Sequence, residues 1–240
     1  MDKTLGLNLF QTSSTPIAVP GTRVELSNGD IYRYIKAGAS GISAGKMQLA
    51  PAQVANHVNQ TGSAVVGAVG ARQVILNVGA TAVTADQYKD GLLVINDATG
   101  EGYTYRISGN AALASSGSGK FDLLDPIQVA LVASTSEYTL VANSFNGVVE
   151  AASSVRKAAG VPAVSLTAAY YGWAKTKGAA SVLIGTAATS GARLMCDGST
   201  AGAVTDNSDV TTVQTEVIVG SASYGAGVST EYNVIELFID

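Results

Sequence analysis

Residues 170–184 read YYGWAKTKGAASVLI, a stretch with the only tryptophan of the chain, two adjacent tyrosines and two lysines. Such a stretch is either the lip of a binding site or a strand that leads through a turn into a second strand. Alternation of side chains along an extended backbone places Tyr171 and Trp173 on one face and Tyr170 and Gly172 on the other. The lysines accompany no acid pair, nucleophile or cluster of metal ligands, which favours the structural interpretation.

Gly178 divides the stretch in two. Because glycine is common in turns, we expect Gly178 to turn the first strand into the next. Val182, Leu183 and Ile184 are then predicted to enter the core of a small C-terminal domain. Trp173 is predicted to anchor a core or a subunit interface in preference to forming a platform for a ligand.

Short runs of alternating or β-branched residues, separated by turn residues, recur along the chain. In IYRYIK (31–36), Tyr32 and Tyr34 share one face, and the same alternation occurs in GYTYRIS (102–108) and EYNVIELFID (231–240). The residues of the last run that are predicted to face inward are Ile235, Leu237 and Ile239. Many short strands with regular turn signals indicate an all-β fold. We expect at most one or two short helices and two small β-sandwich-like or barrel-like domains.

Helical patterns are few. MQLAPAQVANHVNQ (47–60) has apolar residues near helical spacing but contains Pro51, so it is either a short helix that begins near this proline or a loop. VEAASSVRKAAG (149–160) is predicted to be a single helix that stops at Gly160, with Pro162 beyond it.

The segment from 144 to 165 is rich in small residues and is typical of a connector. We therefore predict an extended N-terminal arm over 1–20, an N-terminal β domain over 21–148, a connector over 149–164 and a smaller β domain over 165–240.

Charged residues make up 13% of the chain and hydrophobic residues 47%. Typical soluble domains carry about twice that charged fraction, so the surface must consist largely of small and neutral side chains. Such a surface is easily desolvated and suits a protein that packs against neighbours. The net charge of −4 and the absence of a Lys/Arg run argue against a nucleic-acid partner.

The single cysteine, Cys196, excludes an intrachain disulfide and is predicted to be a small buried or half-buried apolar residue. The N-terminal MDKTLGLNLFQTSSTP has no long apolar stretch behind a basic start, and no apolar run reaches the length of a membrane helix. We expect a soluble protein made in a reducing cytoplasm, with no membrane partner.

The motif Gly41-Ile42-Ser43-Ala44-Gly45 matches the G-x-S-x-G nucleophile elbow of hydrolases. The only histidine, His57, follows Ser43 with no acid between them, whereas the elbow family has the order serine, acid, histidine. We interpret the motif as a glycine-rich loop between strands, and predict no catalytic residue.

One histidine and one cysteine are too few for a zinc site of the usual kind, and His57 is interpreted as a polar or capping residue. The cluster Asp206-Asn207-Ser208-Asp209 lacks the spacing of a known calcium loop and is interpreted as a solvated turn. Gly45-Lys46 precedes Met47 where a phosphate loop has serine or threonine. The sequence therefore predicts neither a metal nor a cofactor.

Most of the chain resembles the capsid decoration (cement) and head-fibre proteins of tailed phages. The stretches that carry the resemblance are NGDIYRYIKAGASGISAGKM (28–47), VGATAVTADQYKDGLLVINDATGEGYTYRISGN (78–110), LLDPIQVALVASTSEYTLVAN (123–143), YYGWAKTKGAASVLI (170–184), DGSTAGAV (197–204) and VIVGSAS (217–223). The resemblance implies a virion structural protein that forms oligomers on a capsid lattice. The absence of a coiled-coil or collagen-like stem favours a compact decoration protein over a plain fibre.

On this interpretation the protein is not an enzyme. It binds the outside of the phage head, with the major capsid protein and copies of itself as partners, and a trimer is favoured over a dimer. Aromatic residues dominate binding hot spots, so the predicted interface anchors are Tyr170, Tyr171, Trp173, Tyr32 and Tyr34. The alternatives are a head-fibre, tail or other minor virion protein, and a carbohydrate-binding adhesive module in which Trp173, Tyr170 and Tyr171 stack on sugar rings.

Overall fold

The computed structural model describes residues 8–63, 65–153, 155–206 and 217–240. The strands in this part of the chain are β1 Arg23–Glu25, β2 Ile31–Ala37, β3 Gln48–Leu49, β4 Gln73–Asn77, β5 Leu92–Asp97, β6 Thr104–Asn110, β7 Ser118–Leu123, β8 Glu137–Val141, β9 Asn146–Val148, β10 Ala158–Pro162, β11 Tyr171–Leu183, β12 Arg193–Cys196, β13 Val204–Asp206, β14 Ile218–Ser221 and β15 Tyr232–Phe238. One 3₁₀ turn spans Ala55–His57, and the described ranges contain no α-helix. The predicted all-β fold is confirmed.

The chain forms two compact units. Unit 1 runs to Pro51 and resumes at Ser144, and unit 2 is the intervening Ala52–Asn143. This division differs from the predicted domains over 21–148 and 165–240, although the chain does leave unit 2 where the connector-like segment begins. The difference arises because β1, β2 and β3 belong to the same sheet as strands from the last hundred residues, a pairing that no local pattern reveals.

Unit 1 contains a ten-stranded sheet in which neighbouring strands follow the order β1-β2-β11-β15-β14-β12-β13, with β3, β9 and β10 joined at its side. All pairings in the sheet are antiparallel except that of β2 with β9. Unit 2 contains a five-stranded antiparallel sheet in the order β4-β7-β6-β5-β8. Each unit therefore has its own sheet and its own buried core.

Strand β11 organises unit 1. Its first half pairs with β2, from Tyr171 opposite Lys36 to Lys177 opposite Ile31. Its second half pairs with β15, from Lys177 opposite Phe238 to Leu183 opposite Tyr232. The stretch predicted to be a strand, a turn and a second strand is therefore one strand of 13 residues.

The turn predicted at Gly178 is wrong. Gly178 has a φ of +98°, and the β2 register shifts between Lys175 and Lys177, so the glycine lies beside a bulge within a continuous strand. A bulge bends a strand and increases its twist without reversing it. Glycine satisfies both a turn and a bulge, and the tertiary pairing on each side decides between them.

The predicted helix over 149–160 is also wrong. Residues 158–162 form β10, every residue of which is buried, and this strand pairs with β3 and β11. Gly160 lies inside the strand with a φ of +115°. Short apolar runs cannot be assigned to helix or strand by periodicity alone. In the other helical candidate, residues 48 and 49 form β3, and only the 3₁₀ turn Ala55–His57 follows Pro51.

The predicted inward face of β15 is confirmed, since Ile235 and Leu237 are buried and Ile239 packs against the same core. Val182 and Ile184 join this core as predicted. Leu183 is only half-buried, because alternation along β11 turns its side chain to the opposite face.

Residues 8–20 of the predicted N-terminal arm lie against unit 1. Ser13 forms a backbone bridge with Tyr171, and the Ile17 amide donates a hydrogen bond to the Tyr34 hydroxyl at 3.1 Å. Leu9 and Ala18 pack against the aromatic residues of β2 and β11. The arm is therefore attached to the strand that organises the sheet, and residues 1–7 lie outside the described ranges.

Candidate interaction site

Four of the five predicted interface anchors form one aromatic cluster in unit 1. Tyr34 and Trp173 are directly opposite each other on β2 and β11, and their ring centroids lie 5.1 Å apart. Tyr34 also stacks on Tyr171, with centroids 5.8 Å apart and ring planes 10° from parallel. Tyr32 completes the buried cluster, while Tyr170 remains half-buried and outside it.

Three of the five anchors are buried inside unit 1. Tyr34, Trp173 and Tyr32 are only 1%, 3% and 7% exposed. The Trp173 indole nitrogen is buried and has no hydrogen-bond partner within the described residues. These rings therefore stabilise unit 1, and a sugar platform built on Trp173 has no exposed indole face. An interface role for half-buried Tyr170 and Tyr171 stays a prediction.

An ion pair at the β11 bulge was not predicted from sequence. The Lys175 ammonium lies 2.6 Å from Asp30 Oδ2 and donates a second hydrogen bond to the Ala179 carbonyl at 2.8 Å. It also lies 5.3 Å from the centre of the Tyr32 ring, within cation–π range. Asp30 and Lys175 are 145 positions apart, so only the pairing of β2 with β11 brings them together.

The Lys175 charge is held in place by these contacts. Burial works to lower the pKa of Lys175, but the hydrogen bond to Asp30 and the interactions with Tyr32 outweigh it, so the pKa is raised. The side chains of Lys175 and Asp30 are only 13% and 17% exposed. Lys175 is therefore a neutralised structural cation and not an amine that loses its proton near neutral pH.

A cleft of about 450 Å³ opens beside this ion pair. We call it the Lys175 cleft; its walls are Tyr32, Ala44, Gly45, Val161, Pro162, Ala163, Lys175, Ala179, Ala180, Ser181 and Tyr232. The cleft has the size of a small-molecule or peptide site. Its walls are mainly small apolar residues. The exceptions are the rings of Tyr32 and Tyr232 and the charge of Lys175, which Asp30 neutralises.

Exposed apolar side chains adjoin the cleft on one face of β15. Tyr232, Val234 and Phe238 alternate with the buried residues of the strand and are 51%, 43% and 46% exposed. Tyr224 lies over the same face, where its hydroxyl donates to Glu236 at 2.9 Å. We call these four residues the β15 outer face, and Tyr232 links this face to the Lys175 cleft.

The G-x-S-x-G motif lies in the loop between β2 and β3, as predicted. The Glu150 carboxylate accepts a hydrogen bond from the Ser43 amide and lies 3.1 Å from the Lys46 ammonium. Burial alone would raise the pKa of Glu150, but these two partners lower it. A carboxylate with a lowered pKa is a weak base for a serine proton, and β3 follows the motif where the elbow requires a helix. The contacts of Glu150 therefore have a structural role, which is to hold the loop that contains Ser43 and Lys46 in place.

His57 is fully buried in unit 2, whereas the sequence predicted only a polar or capping role. Its Nε2 lies 2.9 Å from the Thr81 carbonyl, and its Nδ1 contacts the Tyr88 hydroxyl. Because a carbonyl only accepts, Nε2 donates to Thr81, and in the neutral ring Nδ1 then accepts from Tyr88. Both ring nitrogens are therefore engaged in structural hydrogen bonds.

Within the described residues, no three side chains of His, Cys, Asp or Glu are grouped closely enough to hold a metal ion. Of the predicted solvated turn at 206–209, Asp206 ends β13 and the other three residues lie outside the described ranges. No helix in the part of the chain that the structure covers is long and apolar enough to cross a membrane.

The chain matches no protein-family model, no curated protein and no solved structure.

Proposed function

We propose that this chain is a structural protein of a tailed-phage head, which binds the outside of the capsid and stabilises the lattice by non-covalent contacts. The resemblance of six stretches to decoration and head-fibre proteins motivates the proposal. The structural observation that carries it is the β15 outer face, where aromatic and aliphatic side chains remain exposed on a regular strand. Its role is adhesive rather than catalytic.

The β15 outer face has the chemistry of a protein interface. Tyrosine and phenylalanine supply large contact areas at low entropic cost, and aromatic residues are enriched at hot spots. Exposed apolar patches rimmed by polar groups mark interaction sites. The chain carries only 13% charged residues, so few ions lose water when a neighbour covers such a face.

The proposed partners are the major capsid protein and further copies of this chain, with a trimer favoured over a dimer. The protein is made in the bacterial cytoplasm and acts on the virion surface. Symmetry matching links oligomer number to lattice position, because a trimer fits three-fold sites and a dimer fits two-fold sites. Oligomeric mass in solution, measured by light scattering, tests this part of the proposal, and a stable monomer at all concentrations contradicts it.

Co-sedimentation with expanded, undecorated phage heads tests the function itself. The wild-type protein should pellet with the heads, whereas a double variant Val234→Asp, Phe238→Asp should remain in the supernatant. Val69→Asp is the matched control, since Val69 is 65% exposed but belongs to unit 2. Failure of the wild type to pellet at any salt concentration counts against a capsid role, and equal loss in the control variant counts against the β15 outer face.

A further inference from the structure

Among the residues that the structure describes, no strand pairs with the edge of β11 that faces away from β15 beside the Lys175 cleft. The Ile184 amide donates to the Glu231 carbonyl on the β15 side, whereas the Leu183 amide donates to the Gly45 carbonyl on the other side. Backbone groups of successive residues in a strand point to opposite edges. Ala179 and Ser181 share the direction of Leu183, so their amides and carbonyls point away from β15.

Few groups occupy this edge. The Ala179 carbonyl accepts the Lys175 ammonium at 2.8 Å. Pairing with β2 ends at Lys177, the Gly45 carbonyl accepts a hydrogen bond from the Leu183 amide, and Gly45 also lies beside the Ser181 carbonyl. In the described part of the chain, the Ala179 amide and both backbone groups of Ser181 have no hydrogen-bond partner.

The Lys175 cleft opens along these unpaired groups, since Ala179, Ala180 and Ser181 form one of its walls. Residues of β10 and the loop at Ala44 and Gly45 form other walls. The Tyr232 ring packs over Gly45, where a β-carbon would lie only 2.7 Å from the ring. A strand edge with unpaired amides, enclosed by small residues and an aromatic ring, is a template for an added strand.

We propose that the Lys175 cleft is a docking site for a short extended peptide segment of another polypeptide, which adds to β11 at Ala179–Ser181. Main-chain hydrogen bonds to the edge would supply affinity, as in β-strand addition generally. The fitting segment has small or apolar, uncharged side chains, because Asp30 already neutralises Lys175 and the remaining walls carry no free charge. This inference goes beyond the proposed function, since it requires no phage head.

The probe for this site is a capped pentapeptide of alternating valine and threonine, titrated into the labelled full-length protein and followed by amide resonances. The Ala179 and Ser181 amides should shift and become protected from hydrogen exchange, while the buried Val219 amide should not change. A peptide of the same sequence with N-methylated amides cannot donate to the Ser181 carbonyl, and its methyl groups prevent the close approach of two strand backbones, so it should produce no such shifts.

Ser181→Pro removes the outward amide without loss of a hydrogen bond to β15, because proline is tolerated where a strand N–H faces solvent. One lost hydrogen bond should raise the peptide Kd about 3- to 10-fold, whereas the control Ser181→Thr keeps the amide and should bind like the wild type. If Ser181→Pro does not fold, the N-methylated peptide alone decides. Equal binding of the two peptides, an unchanged Kd in folded Ser181→Pro, or no shift of the Ala179 and Ser181 amides overturns the proposal.

Discussion

The carboxylate of Asp30 occupies the space that a β-carbon on Gly178 would need. Gly178 also has a φ of +98°, a backbone conformation that other residues rarely adopt. The glycine thus allows β11 to bulge and lets Asp30 reach Lys175 at the wall of the Lys175 cleft. The absence of a side chain at Gly178 therefore accommodates both the bulge of the central strand and the Asp30–Lys175 ion pair.

Gly178→Ala should destabilise unit 1 by about 3 kcal/mol, since the substitution adds backbone strain and displaces a partly buried ion-pair partner. Gly191→Ala is the matched control, because Gly191 has a φ of +84° but an added β-carbon would meet no atom within 4 Å. The control should lose only about 1 kcal/mol from strain. Urea unfolding followed by the fluorescence of Trp173, the only tryptophan, measures both losses. Equal losses would contradict the role of Asp30.

Asp240 should make unit 1 less stable in acid. Two guanidinium nitrogens of Arg33 donate to its carboxylate at 2.6 and 2.9 Å, and Thr176 donates at 2.6 Å. The Arg33 hydrogen bonds lower the pKa of Asp240 against the opposing effect of burial, and Thr176 adds to the lowering. A lowered folded-state pKa stabilises the protein above the ordinary carboxyl pKa, and the contribution disappears as pH falls through the folded value.

Asp240→Asn should therefore cost about 1 kcal/mol at neutral pH, and its difference from the wild type should vanish in acid. Urea midpoints measured as pH is lowered test this. Glu25→Gln serves as the control, since it removes the exposed ion pair with Arg23 and should change stability little at neutral pH. A cost of Asp240→Asn that stays the same at every pH would contradict the linkage.

Tyr88→Phe should destabilise unit 2 by about 1–3 kcal/mol, because it leaves His57 Nδ1 buried without its donor. Tyr103→Phe is the control, since Tyr103 is 41% exposed. Amide hydrogen exchange on the unit 2 strands distinguishes the two variants. Equal protection in both would show that the buried pair contributes nothing.

Cys196 should be unreactive in the folded protein. The prediction that it is buried is confirmed, and burial raises the pKa of its thiol to about 12. Because the thiolate is the reactive form, a thiol reagent at mildly alkaline pH should label the native chain far more slowly than the chain in guanidinium. Rapid labelling of the native protein would place Cys196 at the surface.

Local alternation predicted much of what lies inside each strand. Ile235 and Leu237 were assigned to the core because their period of two is a property of the extended backbone itself. The same alternation placed Trp173 on one face with Tyr171. It did not reveal whether that face is exposed, since burial depends on which strand and which part of the N-terminal segment covers it.

Local sequence patterns could not predict the candidate site. Lys175 lies in the stretch that was singled out, but its partner Asp30 lies in a turn before β2, and Tyr232 lies at the start of β15. No spacing rule connects residues so far apart. The wrong prediction of a turn at Gly178 has a similar cause, because a glycine with positive φ occurs in a bulge as well as in a turn.

By itself, the sequence determined the all-β class, the low-charge surface, the inward face of β15 and the buried cysteine, since these follow from composition and from the period of an extended chain. Only the tertiary structure decided that Ala52–Asn143 forms a unit of its own, that β11 is continuous and that no described strand pairs with its outer edge at Ala179–Ser181. Strand pairing across a hundred residues or more is a property of the folded chain, because hydrogen bonds between backbones carry no signature in the side chains that flank them.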